Sequence, residues 1–187
     1  MAQQTTPRYD SISLFIHWSF ALLALIAFSL GPEHFGRLID QGVDPATHWD
    51  IVWHESLGVS ILLLTLARFI WMAVRPAVPR FEMKESMQLA AKLMHLALLL
   101  LLVILPATAL LTLGSEGHPL TLLGGFRVDQ IPFIQNSGLA HLADWGEVHK
   151  FLGDALIVLA GLHAAAGIYH HVVLKDGVLM AMKPSNK

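Results

Sequence analysis

The sequence predicts an all-α membrane protein, a bundle of four transmembrane helices. Two observations carry this. The 187-residue chain is 55% hydrophobic and 14% charged, with a mean hydropathy of +0.57, whereas a water-soluble domain has about 25% charged residues. Its apolar residues also gather into four runs, at about 12–30, 51–74, 93–113 and 148–174. Each is long enough to cross a hydrocarbon core of about 30 Å as a helix.

The first run holds no Asp, Glu, Lys or Arg between Ile12 and Leu30. It is longer than the apolar part of a signal peptide, and no small-residue cleavage site follows it, so it is expected to stay as an anchor. The second run is entered by His54 and Glu55 and closed by Arg68 and Arg75. The third contains Pro106, which a membrane helix tolerates as a kink. The fourth lacks acidic and Lys/Arg side chains from Ala155 onward.

The segment 114–145 is the longest connection and is rich in Gly, Pro and polar residues. Within it, Leu120–Phe126 and Ile131–Ile134 are expected to lie across the mouth of the bundle rather than to span. There is no low-complexity tract and no phosphate-binding glycine loop. Residues 1–187 therefore read as a single membrane domain.

Orientation follows from the basic residues that flank the runs. Arg8, Arg68, Arg75, Arg80, Lys84, Lys92, Lys175, Lys183 and Lys187 fall on one side, and Arg37, Arg127 and Lys150 on the other. The richer side faces the cytoplasm, so both termini are expected there. No basic stripe with interleaved aromatics is present, which excludes nucleic acid as a partner. The absence of cysteine excludes disulfides, thiolate nucleophiles, iron–sulfur ligation and thioether-linked haem.

Eleven histidines are the unusual asset, because ionisable side chains inside a membrane are costly and mark function. With about 1.5 Å of rise per residue, each can be placed in depth. His54 and His149 sort to the outer side; His17, His95 and His163 sort to the inner side. His149 and His163 are fourteen residues apart, about 21 Å along the helix and within roughly 40° of one face. One helix thus offers two imidazoles at two depths, each with partners on other helices. Two stacked, bis-imidazole haems require this arrangement.

Glycines agree with a flat macrocycle. His54 opens HESLG and His149 opens HKFLG, so Gly58 and Gly153 stand four residues after the outer histidines, on the same face. Gly161 and Gly167 flank His163 in a similar way. Small residues also serve ordinary helix packing. A zinc or copper pathway is the rival reading, but it would add carboxylate or sulfur ligands in the spans. Asp154 and Met94 make no repeating pattern there. His34, His48, His118 and His141 lie in loops and are expected to be solvent-exposed.

The segments LFIHW, HESLGVSILLL, KLMHLALLLLL and above all GLHAAAGIYHHVVLKDGVL resemble the bacterial cytochrome b-561 family. The resemblance covers nearly the whole chain and is weakest in the outer loop, where Gly117-His118-Pro119 is the recognisable piece. It implies a small inner-membrane protein with two haem b groups. Residue by residue, it implies His17 and His163 as axial ligands of the inner haem iron and His54 and His149 of the outer. It thereby selects His17 over His95. LHAAA followed by HH looks most like the superoxide oxidase type, which passes electrons from superoxide to ubiquinone.

Quinone reduction needs protons, so titratable groups are expected at the inner end. His170 is seven residues past His163, within about 20° of its face. With His171, His95 and Arg8 it is a candidate to meet quinone or a haem propionate. Gly58 and Gly153 are the candidates for haem packing. On the outer side Lys150, Arg127 and Arg37 are candidates to attract a small anion. Two further function classes stay open: a cytochrome b subunit serving a partner redox protein such as a hydrogenase or dehydrogenase, and a non-redox metal transporter.

Overall fold

The computed structural model describes residues 8–31, 38, 41–75, 78–129 and 132–183. Four long helices dominate it: α1 (Ser11–Ser29), α2 (Trp49–Val74), α3 (Glu85–Glu116) and α4 (Trp145–Tyr169). A π-helical turn over His170–Leu174 prolongs α4. All four are apolar enough to cross a membrane, with mean hydropathies from 1.8 to 2.7 over their central stretches.

The helices pack in a ring. The α3–α4 and α1–α2 interfaces are the most extensive, α2–α3 is smaller, and α1–α4 closes the circle. Because consecutive helices run antiparallel, the starts of α1 and α3 and the ends of α2 and α4 share one face, the terminal end. The segments joining α1 to α2 and α3 to α4 share the opposite face, the loop end. Ile16, Phe20 and Ala27 of α1 meet Leu57 and Ile61 of α2 in the best-buried cluster. Facing outward are large apolar side chains such as Phe15, Ile70 and Phe151, about 70% exposed (69%, 69% and 70%). Apolar surface turned outward is what lipid contact requires.

Local signals set the ends. Asp10 caps α1 by accepting hydrogen bonds from the Ser13 backbone N–H (2.8 Å) and the Ser13 hydroxyl (2.6 Å). The same hydroxyl accepts from Trp71 Nε1 at 3.1 Å, tying the start of α1 to the end of α2. Asp144 caps α4 through the Glu147 N–H at 3.0 Å. Gly117 ends α3 in the left-handed region, φ 72°, a conformation cheap for glycine. Pro106 sits inside α3 without ending it. The chain's two ends meet: Tyr9 N–H donates to the Ala181 carbonyl at 3.3 Å and Trp18 Nε1 to that of Met182 at 3.2 Å.

The connection between α3 and α4 is ordered. Strands Leu120–Thr121 and Arg127–Val128 pair antiparallel in a two-stranded hairpin, which turns through Gly124 and Gly125 at φ 81° and 79°. A single helical turn, Pro132–Gln135, lays Ile134 against Gly114 of α3. Ile131, Arg37 and His34 lie outside the described residues.

A methyl group on Gly114 would come within 2.6 Å of Ile134 Cγ2. Gly114→Ala should therefore displace this turn and cost about 1–3 kcal/mol, read as a lower unfolding midpoint in detergent. Adding Ile134→Ala should recover most of it. At α1, burial alone would raise the Asp10 carboxyl, but the hydrogen bonds from Ser13 outweigh it and hold the pKa below its ordinary value. The cap's contribution is then present above the ordinary carboxylate range and lost as pH falls through the depressed pKa. Asp10→Ala should cost about 1 kcal/mol near neutral pH, and the difference from the unaltered protein should shrink in acid.

Candidate functional site

At the loop end, α2 and α4 carry His54 and His149 to within 6.1 Å of each other, measured between ring centroids. Both rings are oriented by backbone. His54 Nδ1 lies 2.8 Å from the Ala27 carbonyl oxygen. Ala27 belongs to the last turn of α1, where carbonyls lack intrahelical donors; the N–H groups of Leu30 and Gly31 go to Ile26 and Phe28 instead. His149 Nδ1 lies 3.0 Å from the Leu105 carbonyl and 3.2 Å from Thr108 Oγ1. Leu105 directly precedes Pro106, inside α3.

A carbonyl oxygen only accepts, so in each ring Nδ1 carries the proton. Neutral imidazole then keeps its lone pair on Nε2. Such a hydrogen bond fixes tautomer and ring orientation in metal-bound histidines. Both rings line one cavity, with about 920 Å³ of atom-free space counting its open mouth. Its walls are otherwise almost wholly apolar, and Gly58 and Gly153 form part of them. A Cβ built on either glycine would meet nothing within 4 Å, so the glycines border open space rather than a packed neighbour.

The distance between the rings has a chemical reading. With metal–nitrogen bonds of about 2 Å and ring centroids roughly 1 Å behind the bonding nitrogens, two imidazoles facing each other across one ion have centroids roughly 6 Å apart. The pair offers two side-chain nitrogens, so a macrocycle that supplies further donors would suit the site. Among the described residues, no group of three His, Cys, Asp or Glu side chains is placed to hold a bare ion.

At the terminal end His163 of α4 stands between two other histidines. His17 of α1 lies 6.1 Å away and His95 of α3 lies 5.1 Å away. The His17–His163 separation repeats that of the loop-end pair. Gly161 borders open space, whereas Gly167 meets Leu179 at 3.6 Å and belongs to the packing of the C-terminal segment. His170 Nδ1 lies 2.5 Å from Asp176 Oδ2, and Asp176 Oδ1 accepts from the Val178 N–H at 3.2 Å. Lys175, left-handed at φ 53°, turns the chain so that Asp176 returns to His170. His171 and Arg8 are exposed.

Three features were not foreseen from the sequence. The first is a clasp beside His54: Glu55 accepts a hydrogen bond from the Thr121 N–H, and Ser56 Oγ accepts from Leu123 N–H at 2.9 Å. These hold the hairpin against the start of α2, and Leu120 joins the cavity wall. The second is the pairing of Arg127 with Asp129 (2.6 Å) and Asp44 (2.9 Å). The hydrogen bond from Arg127 to Asp129, reinforced by both negative charges, raises its pKa. Its charge is therefore already answered. The third is Arg68, whose Nε is shielded from solvent without a hydrogen-bond acceptor. Its spacing from His54 was the available signal, since fourteen residues also separate His149 from His163.

Among the loop histidines, His48 is half-buried and 3.8 Å from Asp50, and His141 is exposed. His118 departs from the expected exposure. It is largely covered, and its Nδ1 lies 3.0 Å from Glu116.

Comparison with known proteins adds three relatives. The chain is 27% identical to cytochrome b561 homolog 2 of Escherichia coli K12, covering 95% of this chain and 92% of the relative. It is 26% identical to a protein of Yersinia pestis named probable superoxide oxidase CybB, covering 96% and 98%. It is 30% identical to cytochrome b562 of Cereibacter sphaeroides, covering 94% and 95%. The family model described as prokaryotic cytochrome b561 matches residues 8–185. With four membrane-length helices and inward histidines already in place, the chain belongs to the prokaryotic cytochrome b561 family, membrane electron-transfer proteins that imply b-type haem.

Proposed function

We propose that the chain is a transmembrane di-haem cytochrome b that passes electrons from superoxide on the loop side to ubiquinone in the membrane. His54 and His149 hold one haem b at the loop end, and His17 and His163 hold a second at the terminal end. Both termini face the cytoplasm of a bacterial inner membrane, and the whole chain forms one membrane domain. The observation that carries this reading is the repeat of one ring separation, 6.1 Å, at two depths of the bundle. The relative named probable superoxide oxidase supports the choice of donor.

Haem b with two imidazole ligands supplies a one-electron relay with no coordination position left for a substrate. The chain's own residues do the rest. The Ala27 and Leu105 carbonyls hold His54 and His149 as Nε2 ligands. Gly58 and Gly153 leave room for a flat ring. The Glu55–Ser56 clasp keeps the hairpin beside the loop-end cavity.

Two superoxide anions yield two dioxygen molecules and two electrons; ubiquinone takes both electrons and two protons to become ubiquinol. His170, with Nδ1 committed to Asp176, keeps Nε2 to exchange a proton with a quinone carbonyl oxygen. His95, His171 and Arg8 stand at the same end as further contacts for quinone or a propionate. A second reading, with a partner redox protein as donor, is favoured by one observation. The Arg127 charge is spent on Asp44 and Asp129 rather than offered to a small anion.

Mixing superoxide with the quinone-loaded protein in detergent separates the two. Fast haem reduction followed by ubiquinol formation is expected; haem that stays oxidised on this timescale points to a partner protein. His170→Ala should slow ubiquinol formation and leave haem reduction by superoxide intact. In a separate measurement, His163→Ala should remove about half the haem absorbance per chain, and His95→Ala should remove none. Loss from His95→Ala instead would exchange the two residues' roles.

A further inference from the structure

The terminal end contains a half-buried cation that the reading above does not use. Arg68 lies on α2 fourteen residues after His54, about 21 Å along the axis and within roughly 40° of the same face. Ile61 and Thr65, exposed by only 8% and 1%, mark that face as the inward one. On α4 the same interval separates His149 from His163. Arg68 is thus the α2 residue at the depth of the terminal-end histidines. Its guanidinium reaches Phe20 of α1, three residues after His17.

Its surroundings are incomplete. The guanidinium stands over the Phe20 ring, 6.0 Å from the centroid, so one flat side is covered by an aromatic face. Nε is shielded from solvent and has no hydrogen-bond acceptor. Among the described residues no ion pair includes Arg68. None of the described carboxylates at that end pairs with Arg68. Asp10 is engaged by Ser13, Asp176 is engaged by His170 and Val178, and Glu82 and Glu85 are exposed at the approach to α3. A cation inside a membrane without a counter-charge is strongly unfavourable. An anionic ligand at this guanidinium would offset that cost.

We propose that Arg68 is a carboxylate-binding residue, and that its ligand is a propionate of the haem held between His17 and His163. This rests on the haem reading given above. A guanidinium presents a planar fork of N–H donors that matches the two oxygens of a carboxylate. A second source of a suitable anion is the phosphate of a lipid headgroup. Either ligand answers the same chemistry, and the two respond differently to esterification.

The test uses full-length apoprotein in detergent, loaded with ferric protoporphyrin IX or with its dimethyl ester, which has no propionate charge. Dissociation is followed as transfer to excess apomyoglobin. The unaltered protein should release the ester on the order of ten-fold faster than the acid from its terminal-end site. Arg68→Gln should release the acid as fast as the ester, and Arg68→Lys should fall between. The ester comparison needs no variant, so a poorly folded Arg68→Gln cannot decide the outcome. Equal release of acid and ester by the unaltered protein overturns the inference. So does an Arg68→Gln effect that appears only when phosphatidylglycerol is added, which assigns the site to lipid phosphate. If neither porphyrin binds the unaltered protein, the haem reading itself falls, and this inference with it.

Discussion

The structure depends on one constraint: within about 30 Å of hydrocarbon, every polar group must find its partner inside the bundle. Helical backbone meets it for the main chain. For side chains it turns His17, His54, Arg68, His149 and His163 inward, because the outward faces are given over to residues such as Phe15, Ile70 and Phe151. The hydroxyls of Thr65 and Thr108 meet it locally, donating to the Ile61 and Leu105 carbonyls at 2.7 and 2.8 Å. Among the described residues, imidazole nitrogens and the Arg68 guanidinium stand on the inward faces of the helices. These define the functional chemistry.

The two ends solve the problem differently. At the loop end the backbone itself supplies the second layer of contacts. The last turn of α1 brings the Ala27 carbonyl to His54, and α3 brings the Leu105 carbonyl to His149. Each then holds a ring by its Nδ1–H. At the terminal end three histidines and the half-buried Arg68 gather, while Asp176 is devoted to His170 and Asp10 to Ser13. Backbone carbonyls thus orient the rings at one end, and at the other a half-buried guanidinium lies at the depth of three histidines.

Much of this was legible in the sequence. The four apolar runs mark the helices because lipid leaves little alternative, and the depths of His54, His149, His17, His95 and His163 follow from a fixed rise per residue. The choice between His17 and His95 did not follow from spacing, since both stand within 6.1 Å of His163. Nor could periodicity reveal the hairpin clasp of Glu55 and Ser56, or the return of Asp176 to His170. Those contacts depend on turns at Gly124, Gly125 and Lys175, where a few backbone angles decide what meets. Arg68 was counted as a flanking charge, although its interval from His54 matched that of the paired histidines on α4.

The central claim is that one chain holds two haems, at two depths. The most direct measurement is the haem content of the purified protein, by pyridine haemochrome absorbance against protein from amino-acid analysis. The account predicts two haem b per chain. A saturated ratio of one, or none, would contradict it.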